Sequence, residues 1–144
     1  MSDSEIKQLL PHREPFLFVD ELVSVSAEEI VGVRTYTSSE YFFKGHFPDY
    51  PVVPGVILCE TMAQVGGAGV RKSGILAADA LFFFATIDKV KFRRQVRPND
   101  KVRFVIKNLR VGPRMLKQSG IAYVGEEVAA EAEWMCLVGP APKA

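Results

Sequence analysis

Hydrophobic periodicity divides the chain into a short N-terminal helix, two strands, one central helix and four further strands. Alternation of apolar and polar residues, typical of half-buried strands, appears within residues 12–26 and 29–37. Later extended segments cover residues 81–93, 101–110, 116–123 and 127–138, with breakers at residues 98–100 and 112–113. The short helix is predicted at residues 4–10, where Pro11 stops it. This order predicts an α+β fold with an antiparallel sheet and one central helix.

The central helix is the most apolar stretch of the chain. Residues 56–70, VILCETMAQVGGAGV, contain one charge, Glu60, and one amide, Gln64. A surface helix has a polar face, whereas this segment is apolar nearly all round, so we expect it to be buried on most sides. Gly66, Gly67 and Gly69 lower its helix propensity, which close backbone packing must offset. We therefore expect a helix wrapped by a sheet.

A proline-rich loop precedes this helix and carries a histidine. Pro48, Pro51 and Pro54 exclude regular structure between residues 47 and 54, and the Pro54-Gly55 pair opens the helix. His46 therefore lies on a loop that leads directly into the N-terminus of the helix.

Glu60 is costly to bury as an ion unless it has a partner. Gln64 lies one helical turn further on, where its amide can donate to the carboxylate. A loop His46 and a helix Glu60, with a helix N-terminus between them, match a general acid–base pair beside an oxyanion site. The residues alone leave two alternatives open: Glu60 at a rim or subunit seam, and a structural or solvated His46.

Four motifs resemble the (3R)-hydroxyacyl-[acyl-carrier-protein] dehydratases of bacterial type II fatty acid synthesis. They are LPHREPFLFVDEL, GHFPDYPVVPG with the following VILCETMAQ, FFFATIDKVKFRRQVRPND, and GEEVAAEAEW, and together they span most of the chain. The resemblance implies a hot-dog fold, in which a curled sheet of about six strands wraps one long helix. It also implies that His46 and Glu60 are the catalytic pair and that no cofactor is needed. Departures from the family pattern at Asp49, Tyr50 and Thr86 bear on substrate preference.

This resemblance implies dehydration of a 3-hydroxyacyl thioester in fatty acid elongation. We assign removal of the C2 proton to neutral His46 and protonation of the departing hydroxyl to Glu60. The thioester carbonyl is expected to face the helix N-terminus at Gly55 and Val56, with Gln64 in the same site. A sister branch, the dehydratase-isomerases, carries Asp at the position of Glu60, so we expect no isomerase activity. The alternatives are an acyl thioesterase and a non-catalytic module that binds acyl carrier protein.

Basic residues are concentrated in one part of the chain, although the net charge is only +1. Residues 89–117 hold eleven Lys or Arg and one acid, whereas residues 1–60 hold ten acids and four bases. A solvated strand face is one interpretation. The resemblance implies another, docking of an acidic acyl carrier protein and its pantetheine phosphate by Lys91, Arg93, Arg94 and Arg97. Nucleic-acid or membrane binding has little support.

The remaining features limit the possible chemistry and location. The 144 residues fit one domain, residues 1–144, and carry no metal-ligand spacing and no dinucleotide or phosphate-loop fingerprint. The acidic, amphipathic start does not resemble a signal peptide, which predicts a cytoplasmic protein. Cys59 and Cys136 are expected to be reduced thiols, and Cys59 as a nucleophile is the sharper alternative. His12 is the rival catalytic histidine, and its place in a turn predicts a structural role.

The stiff proline loop makes it hard for His46 to reach Glu60 of its own chain. We therefore expect a homodimer in which His46 of one subunit faces Glu60 of the other, with the central helices adjacent and their glycines allowing close packing. The family resemblance points to the same dimer and to a possible trimer of dimers.

Overall fold

One sheet of six antiparallel strands packs against a single long helix, which is the hot-dog layout. The computed structural model describes residues 3–76 and 80–140. Strand order across the sheet is β1-β2-β4-β5-β6-β3, so β1 and β3 form its two edges. In chain order the elements are α1 (Asp3–Leu9), β1 (Glu21–Val25), β2 (Glu29–Thr35), a 3₁₀-helix (Tyr41–Lys44), α2 (Gly55–Lys72), β3 (Ala80–Phe92), β4 (Lys101–Val111), β5 (Met115–Val124) and β6 (Glu127–Pro140). The predicted α+β fold with one central helix is confirmed.

The central helix α2 is buried along most of its length, as its all-round apolar pattern predicts. Met62, Val65 and Ala68 are completely buried, and they belong to one core shared with the inner face of the sheet. Close packing on the sheet excludes water from this face and supplies most of the stability of the fold. Within the described part of the chain, no helix combines the length and the hydropathy of a membrane span.

The glycines of α2 face the sheet of their own chain. A Cβ added at Gly69 would lie 2.6 Å from three side-chain carbons of Ile30 on β2, and one at Gly67 would lie 3.0 Å from the Phe82 ring on β3. These residues let helix and sheet approach closely, which confirms the predicted wrapping. The predicted use of the same glycines between two helices is wrong, because the chain's own strands already occupy that space.

Gly69→Ala is expected to destabilise the protein by about 1–3 kcal/mol, because the added methyl group must displace the buried Ile30 side chain. At an unobstructed position inside a helix, the same substitution would stabilise the protein by about 1 kcal/mol, so the expected effect has the opposite sign. The free energy of unfolding in urea measures it. Gly45→Ala is the matched control, since a Cβ at Gly45 meets no atom within 4 Å. Equal stability of the two variants would contradict the close approach of α2 to β2.

The first strand is shorter than its sequence pattern predicts. Residues 12–20 are not in a strand, and β1 begins only at Glu21. Gln64 on α2 explains the difference, because its side chain accepts from the Phe18 backbone N–H at 2.8 Å and donates to the Phe16 carbonyl at 2.9 Å. These backbone groups are thus satisfied by a helix side chain in place of a strand neighbour. Leu17 and Val19 are buried together with Phe18, so the predicted alternation is also absent.

The edge strand β3 exposes apolar side chains on both faces. Its register on β6 shifts between Phe84 and Thr86 and again between Asp88 and Lys91, and Lys89 has a positive φ of 53°. These irregularities interrupt the period-two alternation of the strand at Lys89. Among the described residues, no strand lies beyond β3, and five large apolar side chains on it are exposed: Phe83, Phe84, Ile87, Val90 and Phe92.

Candidate active site

His46 is the first residue of a loop that hydrogen bonds hold in place. The 3₁₀-helix ends before it, and the His46 N–H donates to the Phe42 carbonyl at 3.0 Å. The Val52 N–H donates to the His46 carbonyl at 2.9 Å, and His46 Nδ1 lies 3.0 Å from the Val52 carbonyl oxygen. A carbonyl only accepts, so Nδ1 carries the proton, and the Nε2 of the neutral ring keeps its lone pair. The ring stacks on Phe47, with centroids 4.3 Å apart.

The segment after β3 fixes this loop from behind. The Arg97 guanidinium lies 3.8 Å from the Tyr50 ring centroid, and its Nε donates to the Pro51 carbonyl at 2.8 Å. The Tyr50 hydroxyl donates to Gln95 at 2.9 Å. Cation–π contact and hydrogen bonding together anchor the loop that carries His46. Tyr50 thus has a partner in Arg97.

Glu60 lies on the second turn of α2 with 19% of its side chain exposed. Its Oε2 accepts from Gln64 Nε2 at 3.0 Å, which confirms the predicted contact one helical turn apart. Gln64 itself is 1% exposed, and its other bonds go to the backbone of residues 16 and 18. Gln64 therefore holds Glu60 in a fixed orientation, and its substrate-binding role stays a prediction.

The N-terminus of α2 is open to a ligand. Pro54 occupies the N-cap position and provides no side-chain hydrogen bond, and helix geometry leaves the first backbone N–H groups without a helical partner. Val56 is 73% exposed. Gly55 lies directly beneath the Phe92 ring, since a Cβ there would lie 2.6 Å from Phe92 Cζ. Gly55 and Val56 thus form the first turn of α2, and their role as oxyanion donors stays a prediction.

Two open cavities meet at this helix N-terminus. One, of about 520 Å³, is lined by Gly55, Val56, Phe92, Arg93 and Arg94 among others. The other, of about 570 Å³, is almost wholly apolar and is bordered by Glu60 together with Val56 and Phe92. His46 does not line either cavity in the described part of a single chain. Within one chain, Glu60 and the helix N-terminus therefore border the same cavity, whereas His46 borders neither cavity.

Three of the four predicted docking residues have partners within the chain. Arg93 pairs with Glu131 at 3.1 Å, and Arg94 approaches Asp100 at 3.7 Å. Both arginines line the first cavity, whereas Lys91 is exposed on the edge strand. Of the four candidate docking residues, Arg97 is the one whose side chain binds the His46 loop.

The two thiols are poor nucleophiles. Both are buried and free, and burial raises the pKa of Cys59. Burial, followed by the nearby charge of Glu60, raises the pKa of Cys136 to about 12. Across residues 3–76 and 80–140, no three His, Cys, Asp or Glu side chains gather to hold a metal ion.

His12 is the residue whose position sequence reasoning missed. Its Nε2 lies 3.5 Å from Glu60 Oε2, although 48 positions separate the two residues in the chain. No spacing or periodicity signals such a contact, because it depends on the loop at residues 11–20 folding over α2.

Comparison with known proteins identifies the family. The family model described as FabA-like domain matches residues 10–133. The 3-hydroxyacyl-[acyl-carrier-protein] dehydratase FabZ of Desulforamulus reducens is 46% identical over 135 residues, covering 93% of this chain and 94% of that protein. The protein of the same name from Pelotomaculum thermopropionicum is 45% identical over 94% of this chain and 96% of its own length.

Solved structures share the fold at low identity. The dehydratase heterocomplex ApeI:P from Xenorhabdus doucetiae matches with a TM-score of 0.78 and 17% identity over 96% of this chain and 91% of that one. A Ralstonia eutropha protein titled a putative thioesterase matches with a TM-score of 0.62 and 17% identity over 81% and 83%. With a family model that covers most of the sequence and relatives about 45% identical along nearly all of it, the chain belongs to the FabA-like family, among the 3-hydroxyacyl-[acyl-carrier-protein] dehydratases.

Proposed function

We propose that this protein dehydrates (3R)-3-hydroxyacyl chains on acyl carrier protein to trans-2-enoyl chains in fatty acid elongation. Relatives about 45% identical carry the name of this activity. The observation that carries the proposal is Glu60, a carboxyl group at the border of a large apolar cavity, one turn from an open helix N-terminus. An apolar cavity suits an acyl chain, and the helix N-terminus suits a thioester oxygen.

The reaction needs a base, an acid and a site for negative charge. His46 Nε2, left unprotonated by the Nδ1 bond to Val52, takes the C2 proton. The electron pair of that C–H bond forms the C2–C3 double bond as the C3–O bond breaks, and Glu60 gives its proton to the leaving hydroxyl, so water departs. Backbone N–H groups of Gly55 and Val56 stabilise the enolate-like thioester oxygen. Glu60 stands where the dehydratase-isomerases have Asp, so we expect no isomerase activity.

The proposed active unit is a dimer formed through β3. This edge strand is 13 residues long and exposes five large apolar side chains, and on one side no described strand pairs with its backbone. Such an edge is a template for pairing with another chain, and a second copy of β3 would cover both the backbone groups and the apolar side chains. The pairing would bring a second His46 loop toward the open cavity beside Glu60, giving two composite sites per dimer. A trimer of such dimers and a cytoplasmic location stay predictions.

Acyl carrier protein is the proposed partner, and its entry point is the cavity at the N-terminus of α2. Arg93 and Arg94 line this cavity beside Gly55, so a pantetheine phosphate held there would place its thioester near the helix N-terminus. Lys91 adds exposed positive charge near the end of β3, just before these arginines. This arrangement favours a docking role for Arg93 and Arg94 over Arg97, whose side chain holds the His46 loop.

Arg94→Gln is expected to lower kcat/KM for a carrier-protein substrate by about three- to fivefold, the range of one exposed ion pair. Turnover of a short 3-hydroxyacyl thioester without the carrier protein should not change, because the chemistry does not touch Arg94. Arg110→Gln on β4 is the matched control, with the same charge change at an exposed position away from both cavities. An equal loss with both substrates would contradict a docking role.

One assay separates the proposed activity from the alternatives. The purified protein is incubated with a 3-hydroxyacyl carrier-protein substrate, and the absorbance of the conjugated enoyl thioester is followed. Its appearance supports dehydration. Release of free thiol from an acyl thioester that lacks the 3-hydroxyl group would identify a thioesterase, and binding of the carrier without either reaction would identify a non-catalytic module.

A further inference from the structure

Two side chains from different parts of the chain converge on one oxygen of Glu60. Gln64 Nε2 lies 3.0 Å and His12 Nε2 lies 3.5 Å from Oε2, whereas neither contact involves Oε1. Glu60 also borders two different spaces. A cavity of about 20 Å³ lies on the side of His12 and Gln64, and the apolar cavity of about 570 Å³ lies on the other. The carboxyl group therefore has one oxygen, Oε2, that both donors approach, and one oxygen, Oε1, that neither of them approaches.

The surroundings of His12 indicate which ring nitrogen carries its proton. Nδ1 is buried and has no hydrogen-bond partner in the part of the chain that the structure describes. An imidazolium would leave a charged N–H buried without an acceptor, which costs more than an unpaired lone pair on a neutral ring. The favoured form is thus the neutral ring with its proton on Nε2, directed at Glu60.

We propose that His12 is a positioning residue: it donates through Nε2 to Glu60 Oε2, so that Oε1 is left to carry the proton for the leaving hydroxyl. The inference rests on the proposed function. With two N–H donors directed at Oε2, a proton on that oxygen would face hydrogens in place of acceptors. The acidic proton is therefore placed on Oε1, toward the substrate. Gln64 cannot rotate away, because its amide is also held by the backbone at Phe16 and Phe18.

The loop around His12 has a separate support, which makes the proposal testable. Arg13 donates to the backbone carbonyls of Leu10 at 2.9 Å, His12 at 2.7 Å and Lys7 at 3.1 Å. These bonds hold the end of α1 and the start of the loop without the His12 ring. Arg13→Met thus weakens the loop and keeps the donor to Glu60, whereas His12→Leu removes the donor and keeps the Arg13 bonds.

The first test compares His12→Leu, His12→Gln and Arg13→Met as purified full-length proteins. His12→Leu is expected to lower kcat for dehydration about tenfold with KM changed less than twofold, since Oε2 loses one of its two N–H donors and the proton of Glu60 is no longer confined to Oε1. His12→Gln places an N–H donor at a similar reach and should restore kcat to within threefold of the parent protein. Arg13→Met should lower thermal stability and leave kcat unchanged. An unchanged kcat in His12→Leu, or a His12→Gln as slow as His12→Leu, would overturn the proposal.

A second measurement is independent of turnover. The chain has two histidines, so ¹⁵N-histidine-labelled His46→Ala protein reports on His12 alone. The ¹⁵N shifts should identify a neutral ring protonated at Nε2, and substitution of Glu60 by Ala should change the Nε2 shift. A ring protonated at Nδ1 would overturn the proposal even in an active enzyme. An inactive parent protein with the expected shifts would instead count against the dehydratase function and support the contact.

Discussion

His46→Ala and Glu60→Gln are each expected to lower kcat for dehydration by about 10²- to 10⁴-fold, the usual contribution of a positioned general acid or base. His46→Ala removes the ring whose Nε2 is left unprotonated by the bond from Nδ1 to the Val52 carbonyl. Glu60→Gln keeps the shape of the side chain beside Gln64 but has no acidic proton for the leaving hydroxyl. Initial rates of enoyl thioester formation measure both effects.

Two controls separate chemistry from folding in this experiment. Lys44→Ala changes an exposed side chain two positions before His46 and should leave kcat unchanged. Far-ultraviolet circular dichroism and thermal unfolding should show the fold of both site variants intact, because neither side chain belongs to the buried hydrophobic core. Unimpaired turnover in either site variant would remove that residue from the mechanism.

Mixing the two inactive variants is expected to restore activity. If each site combines His46 of one chain with Glu60 of the other, co-refolding His46→Ala with Glu60→Ala gives about half mixed dimers, and each mixed dimer holds one intact site. Total activity should therefore reach about a quarter of the wild-type value, from a starting level near zero. Two observations support this arrangement. The β3 edge is exposed, and among the described residues His46 lines neither of the two cavities at the N-terminus of α2.

The complementation needs proof that chains exchanged. Native mass spectrometry of variants that differ in mass reports the fraction of mixed dimers, and the two variants mixed after separate folding serve as the comparison. Mixed dimers that form in the expected fraction without activity would place both residues in one chain and would contradict the shared site.

Local sequence patterns predict much of the fold and the central part of the candidate site. Pro54-Gly55 at the start of α2, its all-round apolar composition and the period-two strands predict the order of elements, and the predicted bounds are within a few residues of the observed ones for each predicted element except β1. The position of Gln64 one turn after Glu60 predicts their hydrogen bond, because helix geometry alone brings such residues together. Each of these features depends on residues close in sequence, which is why it is readable from the sequence.

Contacts between residues far apart in the sequence could not be predicted and are seen only in the tertiary structure. The loop at residues 12–20 reads as a strand, yet Gln64, more than forty positions away, satisfies its backbone and leaves it irregular. His12 meets Glu60, and Arg97 holds Tyr50, only because the folded chain brings separate loops onto α2 and its N-terminus. The glycines of α2 likewise face its own sheet. Sequence by itself determined the elements and the chemistry they carry, because period, breakers and helical spacing are local. The structure alone decided which side chains meet, since that depends on strand order and on hydrogen bonds that no local pattern encodes.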